Sequence, residues 1–142
     1  MTAGPWTLTN EMRTQLVSGT YTNLTAGSAV HVGLYASTSN IGTSSTTIAG
    51  VTNELSTANG YTAGGVAATL TAAGTTSVTL TFSANVTWTA SGGSIVARYA
   101  VVFEPSGHVL AYCVLDNTPA DVTVTTGNTL TISNSNPVIT VA

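Results

Sequence analysis

Lysine is absent from this chain, and arginine occurs only at Arg13 and Arg98. Five acids, Glu11, Glu54, Glu104, Asp116 and Asp121, bring the charged residues to 5% of 142. An ordinary soluble domain carries about 25%. Binding to a nucleic-acid backbone needs a basic footprint, which two arginines so far apart in sequence do not supply, so no nucleic-acid partner is expected. Cys113 is the only cysteine, which excludes an internal disulfide and any CxxC or Cys/His metal spacing. It sits in VLAYCVL and reads as a small buried thiol. Long hydrophobic runs are missing too. The most apolar stretch, residues 95–103, is interrupted by Arg98 and falls well short of the roughly 20 residues of a helical membrane span. The opening MTAGPWTLTNEMR lacks the positive start and apolar block of a secretory leader, so residue 1 is expected to be the mature end.

What the chain has is hydroxyls and small apolar residues. There are 29 Thr and 14 Ser, and 43% of the residues are hydrophobic, enough for a core and too many for charge-driven disorder. The length fits one domain. Residues 1–27 read as an N-terminal arm with a short helix. Leu8, Met12 and Leu16 recur every fourth residue, Thr7 or Thr9 can cap, and Gly19 can stop, which predicts a helix over 8–18. So short a helix must dock on its own body or on a neighbour.

Residues 28–142 read as a single β-sandwich domain. From Ser28 the period becomes two: Val30, Val32 and Leu34 alternate with His31, Gly33 and Tyr35. Residues 36–60 form a long hydroxyl-rich loop with a helical turn near 51–55, and Asn59-Gly60 turns into 61–70. Val78, Leu80 and Phe82, then Val86, Trp88 and Ala90, alternate with polar residues. Residues 95–103 are apolar on both faces and predict one long central strand. Glu104-Pro105-Ser106-Gly107 turns it back into 108–115. Residues 121–124 and 130–133 flank a turn at 125–128, and 138–142 ends the chain as a strand. Eight or so strands at roughly ten-residue intervals give an all-β fold, an antiparallel β-sandwich or jelly-roll-like domain.

Chemistry-bearing residues are few. His31 and His108 have no third ligand nearby in sequence, so no metal is expected. No serine occupies a nucleophile elbow, and Asp116 and Asp121 flank a turn as capping residues rather than forming a glycosidase pair. The Gly-Gly pairs at 64–65 and 92–93 lack a phosphate-loop pattern and read as turns or bulges. No catalytic residue, cofactor or enzymatic activity is expected. Arg98, lying within an apolar run, needs an acceptor. It is expected to pair with Asp116, Asp121 or strand-end carbonyls, or else to reach solvent from an outward face.

Three stretches carry a resemblance: GVTNELSTANGYTAGGVAATL (50–70), VTWTASGGSIVARYAVVFE (86–104) and VLAYCVLDNTPADVTVTTGNTLTI (109–132). With the opening PWTLTNEMRTQLVSGTYTNL and the strand VHVGLYAST, they make the chain similar to a group of small virion proteins of tailed bacteriophages. The resemblance implies a structural component of the particle, made in the bacterial cytoplasm. The expected role is a capsid decoration (cement) protein on the outer surface of the head. Its partners would be the major capsid protein and neighbouring copies of itself in a homo-oligomer, with no membrane contact. A tail or fibre component, or a receptor-binding module, is the alternative. Within the arm, Trp6, Met12 and Arg13 are the expected assembly contacts, with packing on its own body the other reading for Trp6.

Overall fold

A computed structural model describes residues 2–21, 23–27, 29–105 and 107–142. Ser28, the expected domain start, and Ser106 of the expected hairpin turn therefore lie outside the described residues.

The fold is all-β, built from antiparallel ladders with one short helix. β1 (Thr7–Leu8) leads into α1 (Asn10–Ser18), followed by β2 (Val30–Tyr35) and a 3-10 turn at Ile48–Gly50. Then come β3 (Val66–Ala68), β4 (Leu70–Ala73), β5 (Val78–Phe82), β6 (Val86–Thr89), β7 (Ile95–Ala97) and β8 (Tyr99–Phe103). β9 (Val109–Val114), β10 (Val122–Val124), β11 (Thr129–Ile132) and β12 (Ile139–Val141) complete it. The main sheet has the order β1-β9-β8-β2-β3; β12-β5-β4 form a three-stranded sheet, and β11-β6 and β10-β7 are two-stranded ladders. No sheet closes on itself among the described residues. One core joins these pieces, with Val32, Leu34, Ala100 and Val102 of the main sheet meeting Phe82, Trp88, Ile95, Val122, Leu130 and Ile139 from the smaller ladders. The opposite face of the main sheet is buried as well. There Tyr35, Val101, Phe103 and Val109 are covered by Ile41, Ile48 and Val51 of the long loop.

Two expectations are corrected by this arrangement, and one connection is specified that the sequence left open. The long strand expected over 95–103 is broken at Arg98: β7 pairs with β10, while β8 pairs with β2 and β9. A guanidinium cannot be buried unpaired on either apolar face, so the chain changes sheets at that residue and the side chain leaves by the rim. Residues 121–124 and 130–133 do flank a turn at 125–128, where Asn128 N–H donates to Thr125 C=O, but each pairs with another strand. β10 lies on β7 and β11 on β6, making a longer ribbon in which residues 125–128 face residues 90–94. The helical turn expected near 51–55 is instead extended. Glu54 bridges Tyr35, Leu55 N–H donates to Leu34 C=O, and Asn53 takes a left-handed φ of 61°.

The helix begins where its cap dictates. Thr9 Oγ1 accepts from Met12 N–H, and Gly19 ends the helix in the left-handed region with φ 73°. Burial of Met12, worth about 1.5–3 kcal/mol, docks a helix too short to persist alone. Asn59-Gly60 forms the two-residue turn that its sequence announces, with φ 55° and 87° and Ala58 bridged to Tyr61.

Candidate functional site

The smaller ladders each have one inward and one outward row. Inward are Leu70, Phe82, Ile139, Val86, Trp88, Leu130, Ile132, Ile95 and Val122, all buried. Outward, register sets Thr71 opposite Thr81, Thr79 opposite Thr140, Thr87 opposite Thr131, Thr89 opposite Thr129 and Val96 opposite Thr123. The hydroxyls of Thr71 and Thr81 lie 3.2 Å apart, and those of Thr89 and Thr129 3.1 Å apart. Such cross-strand pairs spend part of their hydrogen-bonding capacity on each other and leave a smooth, neutral surface. No ionisable side chain occurs in this outward row.

The N-terminal segment does not stand away from the body. Gly4 N–H donates to Val114 C=O, and Thr7 and Leu8 pair with Tyr112 and Ala111, so residues 4–8 run along the edge of the main sheet. Trp6 is half-buried, edge-on to Phe82 with ring centroids 6.0 Å apart. Met12, expected as an assembly contact, is 1% exposed and belongs to the core, because the apolar stripe of α1 faces β9 rather than a neighbour. Arg13 is exposed, with its Nη1 3.1 Å from Asn10 Oδ1. Beyond it, Leu16 and Val17 are 41% and 89% exposed, an apolar helix end left open to solvent.

Arg98 Nε donates to Asp121 Oδ1 at 2.8 Å. Asp116 does not join it. Its Oδ1 accepts from the Thr118 hydroxyl at 2.7 Å and the Thr118 N–H at 3.0 Å, and those two bonds hold its carboxyl below the ordinary value.

The two histidines are far from any ligand set. His31 Nδ1 is 2.8 Å from Gly64 C=O. His108 Nδ1 lies 2.8 Å from Glu11 Oε1 but off the line of a hydrogen bond, a close contact between α1 and the turn before β9. Tyr21 stands edge-on to His108, and its phenol is pushed well above its usual pKa by burial, then by Glu104 and Glu11. No group of three or more His, Cys, Asp or Glu among the described residues could hold a metal. Nor is any described helix long and apolar enough to cross a membrane. Cys113 is 4% exposed, and burial pushes its thiol up to about 12.

One cluster escaped the sequence reading. Glu54 Oε1 accepts from both the Tyr61 hydroxyl and Gly64 N–H at 2.6 Å, and the Tyr61 oxygen accepts in turn from Leu34 N–H at 3.1 Å. The loop is thereby pinned to β2. Gly65 is required beside it: φ is 71°, and a side chain there would strike Val32 C=O. The only available signal was that Glu54 is the sole acid in a neutral loop. Another feature is a groove of about 630 Å³ between residues 3–6 and residues 130–133, with Cys113 and Leu115 in its lining. Sequence could not show it, since it depends on which strands end as neighbours.

The chain matches no family model, no curated protein and no solved structure.

Proposed function

We propose that this chain is a structural subunit of a tailed-phage virion, a capsid decoration protein that binds the outer surface of the head and stabilises the shell. We read its stacked sheets as a β-sandwich of the jelly-roll kind. The observation that carries the functional reading is the outward row of paired threonines, free of ions along three ladders. Monomeric proteins use charge on exposed strands to stay apart. A neutral β surface can enter large contacts without the cost of desolvating ions. The likeness of residues 50–70, 86–104 and 109–132 to small virion proteins supports the same reading.

Mechanically, a decoration protein adds interface where capsid subunits meet. If it binds the expanded lattice better than the precursor, it stabilises that lattice by mass action. Many copies touching one another let a weak single contact suffice. The test is location and rupture. Cryo-EM of whole particles should place the chain on the head, and particles lacking it should rupture at a lower temperature. Density in the tail instead would favour the fibre or receptor-binding alternative, and equal rupture temperatures would remove the stabilising role.

A further inference from the structure

The groove between residues 3–6 and residues 130–133 has walls of an unusual kind. Four consecutive residues from each segment line it. Successive side chains of a strand point to opposite faces, so a groove touched by all four runs along the edge of the strand and not over one face. The topology agrees. Among the described residues β11 has β6 as its only hydrogen-bonded neighbour, and β1, which continues residues 3–6, is the outer strand of the main sheet. Two free strand edges thus face each other across an open slot.

The edges are unequal. Alternate residues of β11 turn their N–H and C=O groups away from β6, toward the open side. Opposite, Gly4 is committed to Val114, and Pro5 has no N–H to give. One wall is a ladder waiting for a partner, and the other is a packing surface of Pro5 and Trp6. No Asp, Glu, Lys, Arg or His lines the slot, and the Asn136 amide and the Thr131 and Thr140 hydroxyls beside it make no hydrogen bond among the described residues.

We propose that this slot receives an extended, uncharged segment of a partner protein, which adds as a strand to the free edge of β11. Main-chain hydrogen bonds to β11 supply the affinity, and the neutral, partly apolar lining selects against charged sequences. Four residues of β11 span about 13 Å, so the contact reads four or five residues of the incoming strand. The inference stands on the slot itself and goes beyond the particle assignment.

The test uses the full chain and a random octapeptide library. Enriched peptides should lack charge and alternate apolar with small polar residues. A synthetic copy of the most enriched one should slow amide exchange in β11 about tenfold. Ala3→Trp, which fills the slot from its exposed rim, should weaken that peptide about tenfold or more while leaving the thermal midpoint unchanged. If Ala3→Trp lowers the midpoint, Asn136→Trp, at another exposed residue of the lining, serves in its place. Failure to enrich any sequence, enrichment of charged ones, or protection confined to β4 or β12 overturns the proposal. Protection of β11 that grows with the protein's own concentration, without peptide, makes the occupant a second copy and overturns the assignment to a partner.

Discussion

Arg98 and Asp121 meet across the corner where the chain leaves one sheet for another, Nε to Oδ1 at 2.8 Å. The backbone at Arg98 is held as firmly as its side chain. Its N–H donates to Tyr35 C=O and its C=O accepts from Leu115 N–H, so the corner is stitched into the main sheet while β7 departs toward β10. The side chains are 20% and 38% exposed, which places the pair in the weak, solvent-screened class. Asp121→Ala should therefore cost only about 0.2–1 kcal/mol, and a double-mutant cycle with Arg98→Ala should give a coupling of that size, shrinking in about 1 M salt. A coupling of about 3 kcal/mol would mean a buried pair. Urea unfolding of the four proteins measures it.

Thr9 joins the helix to the sheet through a single hydroxyl. Its oxygen accepts from Met12 N–H and donates to Val109 C=O at 2.6 Å, with the residue fully buried. Thr9→Val should lower stability by about 1–2 kcal/mol, and Thr9→Ser should restore most of it. Hydrogen exchange across residues 10–18 would show the loss first as local opening of α1. An intact helix in the valine variant would contradict this assignment.

Tyr61→Phe tests the loop anchor. The substitution leaves the ring in place but strands the buried N–H of Leu34 and takes one donor from Glu54. The expected loss is about 1–3 kcal/mol by denaturant unfolding, the penalty for an unsatisfied buried donor. Residues 53–65 should show faster amide exchange than in the parent. A loss below about 0.5 kcal/mol would show that water replaces the phenol without penalty.

Alkali should act on Cys113. The thiol ionises near 9.0 when unfolded and is pushed up to about 12 by burial in the fold, so both states hold the proton below 9. Between 9 and 12 the unfolded state loses it while the folded state keeps it, and stability falls as pH rises. Cys113→Ala, compared with the parent from pH 8 to 11 by denaturant midpoint, should show a shallower decline.

Much of the strand inventory was legible because a half-buried strand writes its face into every second residue, as Val30, Val32 and Leu34 do. Pairing was not legible. Residues 121–124 and 130–133 look like two arms of a hairpin, yet each has its partner some thirty or forty residues earlier, and nothing local encodes that choice. Arg98 was visible as an anomaly and its need for an acceptor followed from electrostatics. Which aspartate would answer depended on Thr118, whose two donors already occupy Asp116. Met12 shows the same limit from the other side. Helical spacing marks it as apolar and covered, but only the docking of α1 on β9 says that its own core does the covering. The slot beside β11 is the least legible feature, being a gap between two edges that lie more than a hundred residues apart.

The placement of the two arginines has a practical consequence. A protease that cuts after basic side chains finds two addresses in the whole chain, and the fold puts them at different kinds of junction. Cleavage after Arg13 requires the helix to fray, whereas cleavage after Arg98 requires the corner between two sheets to come apart. Each cut therefore reports the opening of one joint, and the order in which the two products accumulate reads out which joint yields first.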